Sequence, residues 1–197
     1  MFKRLFDIIF SLIGLVITSP IFLAVSYLVR KDSEGPIFYR PKRSGLHGGV
    51  FTMYKFRTMV INADKIGGPS TAGDDPRLTK VGKILRRYKL DELPQFINIF
   101  KGDMSFVGPR PEIPSEVDLY DPKIKEKVLS VKPGLTDLAS LADLHEEEIL
   151  MGSADPHKTY REKIQPQKIR LQLEYIEKKS FWLDIKILFR TVLNILK

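Results

Sequence analysis

From Ile8 to Val29 the chain carries no charged residue. Coiled as an α-helix, that run would be about 33 Å long, enough for the roughly 30 Å hydrocarbon core of a bilayer. Three arrangements can use it: a cleaved signal peptide, a spanning helix, or a re-entrant hairpin that enters and leaves by one face. Lys3 and Arg4 precede the run as in a signal peptide. The run is longer than a signal core, however, and Ala24-Val25-Ser26 makes a poor cleavage site. Ser19-Pro20 falls at mid-run. Proline lacks an N–H and crowds the preceding turn, so the helix should kink or break there. The Thr18 and Ser19 hydroxyls are placed to serve backbone groups freed where water is absent. Lys3 and Arg4 on one flank, and Arg30 and Lys31 on the other, both favour the cytoplasmic side. One span cannot satisfy both flanks; a hairpin can. The expectation is a re-entrant anchor over residues 1–31 with its break at Ser19-Pro20, a kinked spanning helix being the alternative.

The remaining length suits one domain with its own core. A formal net charge of +8 points to an anionic partner, whether nucleic acid, acidic lipid or a phosphorylated substrate. The absence of cysteine excludes disulfides, thiolate metal sites and cysteine nucleophiles. His47, His145 and His157 lack zinc-site spacing, and His145 opens HEEE, without the second histidine of a metalloprotease helix. Neither a Walker loop nor GxGxxG is present.

Beyond Gly35-Pro36, Ile37 to Arg40 and Val50 to Phe56 are rich in β-formers, and the basic PKRSGLHGG between them reads as the long turn of a β-hairpin. Lys55 and Arg57 are two apart, hence on one side of the second strand. They form either a plain cationic face or a phosphate clamp. Residues 62–77, dense in Gly, Pro, Ser, Thr and Asp, read as a loop. Thr79 opens a helix whose Val81, Ile84, Leu85 and Tyr88 oppose Lys83, Arg86 and Arg87, a pattern suited to acidic lipid.

Lys89 to Glu112 reads KLDELPQFINIFKGDMSFVGPRPE. Asp91 and Glu92 precede a short apolar helix, and Arg110 sits between Pro109 and Pro111. In one reading Asp91 is only the helix N-cap. In the other, cations nearby keep both carboxylates ionised; Asp91 is then a nucleophile and Glu92 a ligand of Mg²⁺, an arrangement suited to phosphoryl transfer.

In order, KFRTM, LTKVGKILRR, LDELPQFINIFKGDMSFVGPRPE and KPGLT resemble the bacterial sugar transferases, and more closely the small monotopic phosphoglycosyl transferases. The resemblance covers nearly the whole chain, and the joined motifs are specific where each alone is weak. It implies transfer of a sugar-1-phosphate from a UDP-sugar to polyprenyl (undecaprenyl) phosphate. On that pattern Asp91 attacks the phosphate next to the sugar, UMP leaves, and polyprenyl phosphate attacks the aspartyl phosphosugar. Direct attack by polyprenyl phosphate, without a covalent intermediate, is the alternative path that the sequence leaves open. Glu92 matches the position associated with Mg²⁺. Lys55, Arg57 and Arg110 match basic positions assigned to phosphates, with Pro109 and Pro111 shaping the nucleotide pocket. The run with Ser19-Pro20 resembles the family's re-entrant helix. Two departures stand out. Asp137 to Leu141 and the acidic Glu146 to Glu148 follow KPGLT where many members have a glycine and an aromatic-polar stretch, and Tyr88-Lys89 replaces small polar residues.

Asp121-Pro122 and Asp155-Pro156 are helix starts, with a restart at Pro166. In the last segment Lys186, Arg190, Asn194 and Lys197 share one side, while Phe181, Trp182, Leu188, Phe189, Val192 and Leu196 cover the rest. That helix either packs on the core or lies in the lipid interface with Trp182 at headgroup depth, the second being expected. The fold expected is α+β, mostly helical, with a re-entrant membrane helix-hairpin, one small β-hairpin and interfacial amphipathic helices. Its parts are an anchor over 1–31, a catalytic domain over 32–179 and an interfacial helix over 180–197. The expected partners are a UDP-sugar, polyprenyl phosphate and membrane lipids, with no nucleic acid; the oligomeric state stays open, a dimer included. The expected place is the cytoplasmic face of the bacterial inner membrane. The main rival is a membrane-attached scaffold in which the dyad is only a cap.

Overall fold

The computed structural model describes residues 2–142 and 146–195. His145, Leu196 and Lys197, singled out above, lie outside them. The fold is mostly helical and opens on α1, Phe2–Asp32, an unbroken α-helix with Pro20 inside it. Where the sequence predicts two helices, the backbone assignment runs through Pro20. Proline leaves the Val16 carbonyl without its N–H donor. The Ser19 hydroxyl fills the gap, donating to Val16 O at 2.8 Å, while Thr18 Oγ1 donates to Gly14 O at 2.6 Å. The helix is long and apolar enough to cross a membrane, and only 11% of its most apolar window is buried, unlike the core helix of a soluble protein.

The expected hairpin forms, but bent into two short antiparallel pieces. Strand β1, Phe38–Tyr39, pairs with β4, Lys55–Phe56, while β2, Lys42–Ser44, pairs with β3, Val50–Thr52. Lys42–Ser44, predicted within the turn, therefore belongs to a strand. The short α2, Ala63–Ile66, opens the loop over 62–77. Helix α3, Lys80–Arg87, starts where Thr79 accepts a hydrogen bond from Gly82 N. A 3₁₀ turn, Leu90–Glu92, leads to α4, Gln95–Lys101. Then follow β5, Ser105–Val107; α5, Pro114–Val117; α6, Pro122–Leu129; β6, Gly134–Thr136; α7, Leu138–Leu141; and α8, Glu146–Leu150. Strands β5 and β6 pair in parallel, a pairing the sequence patterns do not announce. Helix α9, Pro156–Thr159, runs through a π-turn into α10, Gln165–Lys178, so Pro166 continues a helix rather than restarting one. Helix α11, Phe181–Ile195, closes the described chain.

Two apolar clusters hold these elements. Ile99, Met104, Phe106, Val107, Tyr175 and Ile187 join α4, β5, α10 and α11. Val25 and Val29 of α1 meet Phe56 and Leu85, tying the end of the apolar helix to β4 and α3. Polar bolts fix both ends of α1. Lys3 Nζ donates to Val107 O (2.8 Å), the Tyr175 hydroxyl (3.0 Å) and Asp184 Oδ2 (2.5 Å), and Arg4 donates to the carbonyls of Ile99 and Phe100. Helix α11 packs on the core through the buried Ile187, while Trp182, Phe189 and Val192 are exposed near Lys186 and Arg190.

Candidate active site

Asp91 and Glu92 lie on the 3₁₀ turn between α3 and α4. Lys89, in the left-handed region at φ 55°, reverses the chain after α3. Leu90 and Leu93 then insert beside Phe56 and Leu85, fixing the turn to the core. The capping reading fails on geometry: the N-cap of α4 is Pro94, with no side-chain bond, and Asp91 sits inside the preceding turn.

Each cation arrives on its own element. Pairing of Tyr39 with Lys55 across β1 and β4 sets Lys55, whose Nζ donates to Glu92 Oε1 at 2.9 Å and lies 3.9 Å from Asp91 Oδ2. Arg110 comes from the turn after β5, between the buried Pro109 and Pro111. Its Nη2 donates to Glu92 Oε1 and its Nη1 to Oε2 at 3.3 Å. The turn is built on a close backbone approach. Gly134 N donates to Pro109 O at 2.9 Å, and a Cβ on Gly134 would lie 2.1 Å from Gly108 N, so neither position has room for a side chain. Asp137, the residue that departs from the resembled pattern, accepts from Arg110 N at 3.3 Å through Oδ2 and caps α7 through Oδ1 to Ser140 N at 2.7 Å. The sequence marks Asp137 only as an unusual residue after KPGLT; its capping position before a short helix was the signal that it anchors something.

The electrostatics separate the two carboxylates. Burial alone would raise Glu92, but Arg110 and Lys55 outweigh it and hold the group well below the ordinary carboxylate range. Asp91 moves the other way: burial raises it, Glu92 adds to the rise, and Lys55 offsets only part. The two carboxylates thus shift in opposite directions, burial prevailing at Asp91 and the cations at Glu92. Burial also lowers Lys55, against the pull of Glu92.

Arg57 does not join the dyad. Its guanidinium is buried at the end of α1, donating to Pro36 O (2.6 Å), Ser33 Oγ (2.6 Å) and Ser33 O (2.8 Å). Two-residue spacing put Lys55 and Arg57 on one side, but Arg57 lies just past the end of β4 and its guanidinium is taken up by the carbonyls that follow α1. Ser19 and Pro20 stay in α1, outside the site. Near the dyad opens a cleft of about 380 Å³ lined by Gly73, Leu78, Lys83, Arg86, Arg87 and Lys89, a basic surface suited to an anion.

Among the described residues no group of three or more His, Asp or Glu could hold a metal. Asp91 and Glu92 supply two carboxylates. Mg²⁺ needs no more than one or two from a protein when substrate phosphates complete its shell. The donor set fits that ion together with a diphosphate, whose oxygens would also compete with Glu92 for Lys55 and Arg110.

The whole chain, residues 1–197, matches the family model described as bacterial sugar transferase. The chain belongs to this family. Among sugar transferases and their kin it is 41% identical to the UDP-glucose:undecaprenyl-phosphate glucose-1-phosphate transferase of Klebsiella pneumoniae, over 97% of this chain and 39% of the relative. It is 36% identical to the UDP-N-acetylgalactosamine-undecaprenyl-phosphate N-acetylgalactosaminephosphotransferase of Aeromonas hydrophila, over 98% of this chain and 43% of that protein. An uncharacterized sugar transferase of Bacillus subtilis (strain 168) is 38% identical, over 98% of this chain and 87% of its own length. The chain thus spans about two fifths of the first two of these bacterial sugar transferases.

Proposed function

We propose that the protein transfers a sugar-1-phosphate from a UDP-sugar to undecaprenyl phosphate, releasing UMP, through a covalent intermediate on Asp91. The observation that carries this reading is the dyad itself: a buried Asp91 that caps no helix, beside a Glu92 held by Lys55 and Arg110. Family membership and the substrates in the relatives' names supply the substrate classes. The scaffold alternative needs Asp91 to be a cap, and is not favoured.

The basic cleft draws in the anionic substrate. Lys55 and Arg110 exchange Glu92 for diphosphate oxygens, so charge on the phosphoryl and leaving-group oxygens meets fixed cations. An Asp91 oxygen attacks the phosphorus bearing the sugar. The bond from that phosphorus to the bridging oxygen breaks, and UMP departs with the electron pair. An oxygen of undecaprenyl phosphate then attacks the same phosphorus, and the Asp91 carboxylate leaves. Glu92 and Asp91 would hold Mg²⁺ with the diphosphate, and the ion would supply positive charge that lowers the repulsion between the anionic reactants.

A lipid-borne acceptor requires the dyad at headgroup depth. We read α1 as the re-entrant anchor that sets this depth at the cytoplasmic face of the bacterial cell membrane. One domain grips both ends of the helix, through Lys3 and Arg4 at the start and Arg57 after Val29, which supports entry and exit on one side. The exposed Ile84, Tyr88, Trp182 and Phe189 suit α3 and α11 to the interface. Each Lys or Arg near an acidic leaflet adds about 1 kcal/mol.

The test is UMP release by protein in vesicles given UDP-glucose, UDP-galactose or UDP-N-acetylgalactosamine with Mg²⁺ and undecaprenyl phosphate. Release that requires Asp91 and labels the protein with phosphosugar supports the proposal. Unchanged release by Asp91→Asn would remove the covalent step.

A further inference from the structure

Gln95 opens α4, three residues after Glu92 and four after Asp91. It is 1% exposed, yet its Nε2 finds no hydrogen-bond partner among the described residues. More than nine in ten buried polar groups are paired, and an orphaned donor costs about 1–3 kcal/mol, so an unpaired amide beside a reactive centre calls for a reason. The spacing puts Gln95 one turn beyond the dyad on the same side, and helical side chains lean toward the preceding turn. Glu92 already has both oxygens occupied, Oε1 by Lys55 and Arg110 and Oε2 by Arg110. Among the described residues Asp91 is paired only with the Lys55 ammonium, at 3.9 Å, beyond hydrogen-bond range. The dyad therefore holds one unfilled acceptor and, one turn on, one unused donor.

We propose that Gln95 is a positioning residue for Asp91: its amide receives the carboxylate oxygen that does not attack phosphorus. The inference rests on Asp91 being the nucleophile. When one Asp91 oxygen bonds to phosphorus, the other becomes the carbonyl oxygen of an acyl phosphate. Turning the first oxygen outward toward substrate turns the second inward, toward the core in which Gln95 is buried. The hydrogen bond then forms with the reaction and is absent at rest, so it stabilises the reacting arrangement selectively.

The test compares full-length wild type, Gln95→Met and Asp91→Asn in vesicles, using UDP-glucose and UDP-N-acetylgalactosamine as donors. Gln95→Met keeps the volume and removes the donor. Losing a buried orphan should leave the melting temperature unchanged or raised. The expected result is a fall of about a hundredfold in single-turnover UMP release, the scale on which one preorganised donor acts, with KM for the donor sugar nucleotide within about threefold. A merely structural role would instead lower melting temperature and folded fraction together. Should Met not be accommodated, Gln95→Glu keeps the shape, replaces the donor by an acceptor, and is expected to lose turnover in the same way. Turnover within twofold of wild type in a folded Gln95 variant, with Asp91→Asn inactive, overturns the role of Gln95 alone. An active Asp91→Asn overturns the nucleophile and this inference with it.

Discussion

Arg110 and Glu92 meet as a fork, with Nη2 against Oε1 and Nη1 3.3 Å from Oε2. Lys55 shares Oε1 at 2.9 Å. The consequence lies next door. Because Glu92 takes up both cations, Asp91 stays buried without a charge-assisted hydrogen bond among the described residues, and the two neighbouring carboxylates are driven apart in acidity.

Arg110→Lys keeps the charge and loses the fork. A planar guanidinium bonds two carboxylate oxygens at once, which an ammonium does not reproduce. Turnover should fall at least tenfold. Stability should fall by about 2 kcal/mol, less than for a fully buried pair because the Arg110 side chain is 32% exposed. Steady-state UMP release and urea unfolding check both; wild-type rates would show that only the charge matters.

Much of this site was legible in the sequence, for a physical reason. Asp91, Glu92 and Arg110 lie within one stretch, so short-range signals such as the proline-bracketed turn and the helix start bring them into view. Lys55 was legible because strand pairing is local to its hairpin. Arg57 was not: its guanidinium is taken up by Ser33 and Pro36, more than twenty residues away in the chain, a contact that no local pattern announces. The parallel pairing of β5 with β6 was also hidden, since Gly108 and Gly134 reveal their close approach only once both backbones are in place. Pro20 announced a break, but a serine hydroxyl on Val16 O lets the helical backbone run through it.

Gly134→Ala tests that hidden contact. The added methyl would sit 2.1 Å from Gly108 N, against backbone that cannot rotate aside. The expected cost is about 3 kcal/mol, the upper range for overpacking. Surviving folded protein should show weaker turnover because the displaced turn carries Arg110. Thermal unfolding and UMP release together check this, and a neutral substitution would mean that the strands separate freely.

The acid limb of the first half-reaction should report Asp91. Its folded-state value lies above the ordinary 3.8, so the nucleophile ionises only at a higher pH than a free aspartate, and this group favours folding less as pH rises through that window. Glu92 has the opposite sign. It lies below the ordinary 4.5, so its contribution to stability is full above that value and is lost as pH falls through the folded value. Lys55 is the first cause that lowers Asp91, so Lys55→Met should move the acid limb to higher pH. Single-turnover UMP release without lipid acceptor avoids titration of the acceptor phosphate; an unmoved limb would separate Lys55 from Asp91.

Arg57→Ala should act on the anchor, not on the nucleotide. The guanidinium donates to Pro36, to Ser33 and, at 3.4 Å, to Val29 O at the end of α1. Removing it leaves several carbonyls unserved and should cost about 3 kcal/mol, with KM for UDP-sugar little changed. A severalfold rise in KM at unaltered stability would return Arg57 to the phosphates.

The two ends of α1 should lie on the same side of the membrane. A spanning helix would carry its ends to opposite faces, and one compact domain could then grip only one. Here Lys3 is bolted to Tyr175 and Asp184, Arg4 to the end of α4, and the other end to Arg57. With no cysteine in the chain, single labels can be introduced without background. Phe2→Cys and Glu34→Cys are suited to this because both positions are exposed. Both should react with an impermeant maleimide in inverted vesicles, and neither in intact cells stripped of their outer layers. If one reacts from each side, α1 spans, and one of its two sets of bolts must open in the membrane. Pro20→Ala then separates cause from accompaniment. If proline directs the turn back, its removal should convert same-side labelling into opposite-side labelling. If labelling stays on one side, the bolts at Lys3, Arg4 and Arg57 hold the topology by themselves.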